Sequence, residues 1–396
     1  MKLIHYLKLL FKKKTKIKFK APKKTDLVIF DHGDDQLSFL KFDKNSIYFN
    51  RGEELNLFIL FKTFALRGFS NIFENYRITY LKYLKPKFII TYRCDNKAFY
   101  QLKSNIENVK TILIQWGKTM QSYFKNFKDE EKENNFHVDE MYLFGEETAK
   151  IFSKYIKGKC YSLGSLPNNR INLRNLEIDK NSLIFISQAK SKRIFPEIEK
   201  KLIRNLKNYC IKKRLSFSIS TRVHPNDLNG KKNYDEILGD FKWNYYPRIK
   251  SDATGDYDHY MKVLLSEYVV TIDSTLGYEA LSRNKKVAFF PLGSYSPEWC
   301  KENYITNNKT KDFYIPSKFG YPVDYNREGE FWLSDFDEHK LEKKLDFLTS
   351  TSNEEWIKLL NRLELNRVIK FDQNNKTLIN NLIKIGVPIQ KDNLTR

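Results

Sequence analysis

No run of about 18 apolar residues occurs in this chain, which excludes a bilayer-spanning helix. Cysteine is scarce: Cys94, Cys160, Cys210 and Cys300 lie far apart and form no CxxC. That spacing argues against a zinc ribbon or a disulfide framework and fits reduced core thiols in a cytoplasmic protein. GxxxxGKS/T and HExxH are both missing, so ATPase and zinc-hydrolase readings lack their motifs. There is no repeat of solenoid period. No RRM, KH or helix-turn-helix signature accompanies the basic charge, which speaks against nucleic acid as a partner. A secretory signal is not expected: Lys8 interrupts the apolar stretch, the charge follows it, and residues 1–24 show no small-residue cleavage site.

What the sequence does hold is size and positive charge. Its 396 residues suffice for two domains with cores, and 41% hydrophobic and 15% aromatic content mark a globular protein. Seventy Lys+Arg against 48 Asp+Glu leave +22, a balance that favours polyanions or anionic substrates. The excess is dispersed, as a generally lysine-rich composition would give, but is densest in residues 1–24, which carry ten lysines and no acid. Leu3, Ile4, Leu7, Leu10 and Phe11 can share one helical face there. Two readings stay open: a basic amphipathic helix lying on an anionic membrane surface, or a helix packed on its own domain and followed by a solvated lysine run.

Strand-like and helix-like segments alternate. Asp26–Asp31, Lys87–Tyr92, Thr111–Ile114 and Glu140–Phe144 read as strands of a first unit, with helical stretches near Glu53–Leu66 and up to Ile156. Residues 162–182, rich in Asn, Ser and Pro, read as a linker. Leu183–Ile186, Phe217–Val223, Leu264–Ile272 and Val287–Phe290 form a second alternation, and 354–385 read as helices able to wrap back over the first unit. The domain plan is a basic segment 1–24, a Rossmann-like domain 25–165, a linker 166–182, a Rossmann-like domain 183–350 and helices 351–396. The expected class is α/β, two parallel sheets facing a central cleft, with ligands just outside the carboxyl ends of the strands.

The strongest local signal runs from Tyr268 to Pro291, YVVTIDSTLGYEALSRNKKVAFFP. A β-branched strand ends in Asp273, Ser274 and Thr275, which supply helix caps, and Gly277 permits close backbone approach. A helix starting just past a parallel strand binds anions, so a nucleotide phosphate is expected there. One strand earlier, His224-Pro225 follows Phe217–Val223, with Arg222 adjacent. The imidazole can donate to a phosphate oxygen or act as a general acid, or be a hydrogen-bonded loop histidine.

RVHPND followed by DSTLGYEAL and KKVAFFP resembles the C-terminal half of bacterial GT-B glycosyltransferases that build surface polysaccharides. Capsular Kdo transferases, bacterial sialyltransferases and CDP-polyol phosphotransferases share an HP motif and a later Ser-Ser or Ser-Thr motif. The stretches KPKFIITYRCDN, ILIQWG, MYLFGEETAKIF and YSLGS are similar to the N-terminal pattern of surface-carbohydrate biosynthesis proteins. The resemblance covers roughly residues 25–300 and implies the GT-B fold. It also implies His224, Ser274 and Thr275 as nucleotide-phosphate ligands, with Glu279 where ribose hydroxyls are often bound. The sequence departs from the sialyltransferase pattern in its base segment: His32-Gly33-Asp34-Asp35 puts Gly before the acids. Asp31, Asp34 and Asp95 are the alternatives for the catalytic carboxylate, with Asp31 ranked first; all three can equally cap turns.

Gln115, Trp116 and Gly117 end a first-domain strand, where Gly117 admits an acceptor sugar and Trp116 offers a stacking face or a buried ring. Ser187, Gln188, Lys190 and Arg193 end the first strand of the second domain, and the lysine and arginine can neutralise a leaving phosphate. Asp256-Tyr257-Asp258 is a literal DxD but sits before a helix, where capping is the better reading, so no metal or other cofactor is expected. The expected activity is transfer of a sugar from a nucleotide donor, such as a CMP-activated keto-sugar acid, to a surface glycan or glycolipid. Alternatives are a polyol-phosphate transferase or sugar-nucleotide epimerase on the same fold and, from another class, a basic nucleic-acid-binding protein. The expected location is cytoplasmic, with peripheral attachment to the inner face of the plasma membrane through residues 1–24.

Overall fold

A computed structural model describes residues 16–31, 36–41, 54–68, 70–118, 135–173, 176–187, 197–221, 228–247, 257–291 and 318–390. The first half contains β1 (Lys16–Lys18), β2 (Leu27–Phe30), β3 (Glu54–Asn56), β4 (Phe88–Thr91), β5 (Lys110–Ile114), β6 (His137–Leu143) and β7 (Lys157–Ser162). The second contains β8 (Asp179–Ile186), β9 (Ser216–Ser220), β10 (Asn244–Tyr246), β11 (Ser266–Thr271) and β12 (Lys286–Phe289). Two five-stranded sheets result, in the orders β2-β4-β5-β6-β7 and β10-β9-β8-β11-β12, with every pairing parallel. A short parallel pair, β1 with β3, stands apart.

The strand sequences explain this class. In LVIF of β2, Val28 and Phe30 enter one core while Leu27 and Ile29 enter another on the opposite face. A sheet buried on both faces needs near-continuous apolar strands, and β4 (FIIT) and β5 (KTILI) repeat the pattern. One large core spans the second sheet and takes in Leu341, Leu345 and Trp356 from the helices Glu338–Ser350 and Asn353–Arg362.

Two Rossmann-like sheets with their carboxyl edges turned toward each other give the expected GT-B arrangement. The chain then returns. Lys370 N–H donates to Phe144 O at 2.8 Å, and the helix Lys376–Lys384 brings Leu378 and Leu382 to the first domain's core. The crossing needs Gly164, at φ +83°, where a Cβ would meet Lys370 O at 1.9 Å. The C-terminal helices thus divide between the two domains.

The supposed linker is not a solvated tether. It opens with the helix Leu166–Arg170, in which Asn168 and Asn169 are fully buried, and β8 begins at Asp179. Asn168 Nδ2 donates to Glu279 O at 3.2 Å, and Asn169 Nδ2 donates to Leu163 O and Asn375 Oδ1, both at 2.9 Å. Asparagines that read as loop composition here satisfy backbone groups at the domain junction. The helix expected over Glu53–Leu66 starts at Leu57, after Asn56 caps it by accepting from Ile59 N–H at 3.1 Å. Residues 1–15 lie outside the described set.

Candidate active site

At the end of β11, Ser274 caps the seven-residue helix Thr275–Leu281, its Oγ accepting from Leu276 N–H at 3.3 Å. The side chain is 3% exposed and committed to the turn. Gly277 serves packing: a Cβ would stand 2.5 Å from Thr271 Cγ2 and 3.2 Å from Phe289 Cε1. Only a residue without a side chain lets this helix settle on β11 and β12.

Thr275 faces the other domain. Its Oγ1 accepts from Lys118 N–H at 3.1 Å, and a Cβ on Gly117 would lie 3.8 Å from the same oxygen. The loop after β5 therefore meets the turn after β11 directly. Lys118 Nζ donates to Asp273 Oδ1 at 2.6 Å and to Tyr278 Oη at 3.0 Å; both charged side chains are 9% exposed. Tyr278 Oη donates to Asp273 Oδ1 at 2.9 Å and accepts from Gly320 N–H at 2.9 Å. Burial pushes the Lys118 pKa down, partly offset by Asp273. Burial, reinforced by Asp273, pushes Tyr278 well up, so its hydroxyl stays protonated. A small cavity beside this cluster is lined by Lys118, Tyr278, Thr148, Ile151, Tyr321 and Pro322.

The acceptor-side candidates divide. Gln115 is 1% exposed; its Oε1 accepts from Phe144 N–H and its Nε2 donates to Gly117 O, both at 2.8 Å. It shapes the loop and does not point a side chain at an acceptor. Trp116 is half exposed, with the Arg93 guanidinium 5.4 Å from its ring centre. Arg93 also makes a bidentate pair with Asp95 at 3.0 and 2.8 Å and lies 3.8 Å from Asp31 Oδ2. The Asp95 hydrogen bond is the main cause of a raised Arg93 pKa. Asp31, at φ +68° and 1% exposed, accepts from Asn96 Nδ2 at 2.7 Å. The ends of β2, β4 and β5 thus bring Asp31, Arg93, Asp95 and Trp116 together.

On the second sheet, Ser187 is buried; it donates to Glu199 and accepts from Tyr234 Oη at 2.7 Å. Glu279 is 2% exposed, and its Oε1 accepts from Ser165 of the first domain and from Tyr260 Oη at 3.0 Å. In this structure both are hydrogen-bonded inside the protein, and Glu279 joins the domains. Lys190, Arg193, Arg222, His224 and Pro225, with Asp34 and the DxD residue Asp256, lie outside the described residues. Among the described residues, no group of three His, Cys, Asp or Glu side chains is placed to hold a metal ion.

Sequence reading missed Lys118, Arg93, Ser165 and Tyr260. Lys118 follows the QWG motif, but its partner is 155 positions away, and only the facing sheets bring the two together.

Several solved structures align with this chain at low similarity. S. aureus MnaA, solved with UDP, aligns at 13% identity and TM-score 0.49 over 94% of this chain and 96% of its own. The wall teichoic acid polymerase TagF aligns at 12% and 0.48 over 93% and 90%. An S. aureus TarM variant, solved with UDP and glycan ligands, aligns at 13% and 0.42 over 79% of this chain, which spans 58% of TarM. No curated protein matches in sequence. A family profile described as "putative O-antigen biosynthesis protein" matches residues 112–385, more than half of the chain and both sides of the Lys118–Asp273 contact, and the protein belongs to this O-antigen biosynthesis family.

Proposed function

We propose that the protein is a glycosyltransferase of surface-glycan assembly, moving a sugar from a nucleotide-activated donor to a glycan or glycolipid acceptor. The observation that supports this reading is the meeting of the β5 loop, read as the acceptor side, with the β11 turn, read as the phosphate side. Asp31 is the preferred first-domain base. Arg93 lies 3.8 Å from its Oδ2, and the neighbouring Asp95 is held by that same arginine in a bidentate pair. Trp116 supplies the stacking face for an acceptor ring. His224, Arg222 and Lys190 take the leaving phosphate with Thr275, and the charge is met by protein donors. The preferred donor is a CMP-activated keto-sugar acid, because His224-Pro225 and Ser274-Thr275 follow the motif order of the enzymes that use such donors.

Thermal shift with CMP, CDP, UDP and GDP ligands tests the reading, since a ligand of the native state raises the melting temperature with its affinity. CMP is expected to give the largest shift, and His224→Ala to abolish it. No response to any nucleotide would sink the transferase proposal; a response unchanged in His224→Ala would remove that residue from the site.

A further inference from the structure

The helix Leu57–Arg67 is built the wrong way round for a soluble protein. Of its eleven residues only Lys62, Thr63 and Arg67 are polar, and only Ile59 and Thr63 are buried. Thr63 points inward, its hydroxyl donating to Ile59 O at 2.7 Å. Phe61 is 68% exposed, Leu66 66% and Phe58 38%. Phe58 and Phe61 are three apart on one helical face, and Leu66 stands about 80° round from Phe58 at the margin of the exposed arc, with Lys62 between them. β1 continues the surface: it pairs with β3 immediately before this helix, and Asn56 Nδ2 donates to Lys20 O at 2.9 Å. Ile17 of that strand and Phe19 just beyond its end are 51% and 72% exposed. Five of the eleven strongly exposed large apolar side chains among the described residues therefore occupy one corner. The others are scattered, as single exposed apolar residues are on ordinary surfaces.

The corner is ringed by cations. Lys18, Lys20, Lys23, Lys24, Lys62 and Lys82 are exposed around it. Of the nearby acids, Asp26 is paired with Lys87 at 3.1 Å, Glu54 stands opposite Lys16 in the β1–β3 register, and Glu74 opens the neighbouring helix. The face is held rigidly: Tyr83 of the helix Ile72–Leu84 takes Phe58 edge-on at 5.4 Å and Lys62 over its ring at 5.0 Å. Projecting Phe and Leu side chains with lysines at their margin match the boundary between acyl chains and anionic headgroups. At eleven residues the helix is too short to span a bilayer but long enough to lie in its surface.

We infer that this corner, Ile17 and Phe19 with Phe58, Phe61 and Leu66, docks the first domain on an anionic lipid bilayer. The inference stands independently of the sugar-transfer reading. The test is co-sedimentation of the full chain with vesicles of phosphatidylcholine alone or mixed with phosphatidylglycerol. The wild type should partition onto the anionic vesicles and be released by salt. The double variant F61S/L66S, altered only at exposed positions, should keep its melting temperature and bind about ten-fold or more weakly. Equal partition of wild type and variant overturns the inference, as does failure of the wild type to bind anionic vesicles. A wild-type dimer in light scattering that F61S/L66S dissociates, with no lipid binding, overturns it in favour of self-association. The variant's nucleotide response should match the wild type's, so failure here and failure of the transferase reading are read separately.

Discussion

Removing either charge of the Lys118–Asp273 pair should cost more than removing both. The two side chains are 9% exposed and 2.6 Å apart. At an effective dielectric constant of about 20, charges roughly 3 Å apart attract by about 5–6 kcal/mol before desolvation is subtracted. Deleting one partner of a buried pair costs roughly 3–5 kcal/mol, mostly for the charge left behind. Lys118→Met should fall at the lower end, because Tyr278 still donates to Asp273. Asp273→Asn should be limited at high pH, because the Lys118 pKa is already lowered and the amine can shed its proton. The double variant Lys118→Met/Asp273→Leu should lie within about 1–3 kcal/mol of wild type, since an apolar pair avoids the desolvation of both ions and the remaining cost is the Tyr278 hydroxyl that loses its acceptor. Urea unfolding followed by tryptophan fluorescence gives the four corners of the cycle. The pair ties two domains together, so coincidence of fluorescence and circular-dichroism transitions must be checked before two-state values are compared. A coupling energy below about 0.5 kcal/mol would refute the reasoning, because that is the scatter of independent sites.

Gly277→Ala should destabilise by roughly 1–3 kcal/mol in the same assay, because the new methyl has to displace Thr271 and the Phe289 ring. Burial lowers the Lys285 pKa to about 8, so the folded state binds fewer protons than the unfolded one between about pH 8 and the ordinary lysine value. Stability should therefore rise with pH across that window. Lys285→Met should be more stable than wild type at pH 7, by on the order of 2–3 kcal/mol, and lose that advantage by about pH 10.5 in parallel thermal melts. Trp116→Ala should leave the melting temperature within about 1 °C, since the ring is half exposed, while weakening acceptor use in a sugar-transfer assay. A fall in kcat/KM for the acceptor with donor binding intact is the expected pattern.

The central strands were legible because they are buried on both faces. FIIT, TILI and YVVT are short, rich in β-branched residues and largely apolar, which reads as core strand rather than helix. The edges were not. β7 (KGKCYS) carries two lysines and is exposed over its first half, and β10 is three residues long; edge strands are blunted in ways that erase the apolar signal. Capping by Ser274 was legible because it is local. The partners that Gly277 approaches were not legible, because they are Thr271 and Phe289, the second of them twelve positions on. Asn168, Asn169 and Lys118 were missed for a related cause: their partners are more than a hundred residues away.

The return of residues 370–390 has a consequence for how the protein is made. Leu378, Leu382 and Val387 complete a core whose other members begin at Leu27, and Gln390 N–H closes on Phe39 O at 2.9 Å. During synthesis the first sheet emerges early, but one face is covered only in part, by Leu37, Phe39, Leu40 and Leu166, until nearly 390 residues have been translated. The second domain, closed by residues up to about 369, is covered before the first is finished. A ribosome that stalls after residue 369 would release a chain with a complete second domain and an open first one, a marked substrate for chaperones and proteases.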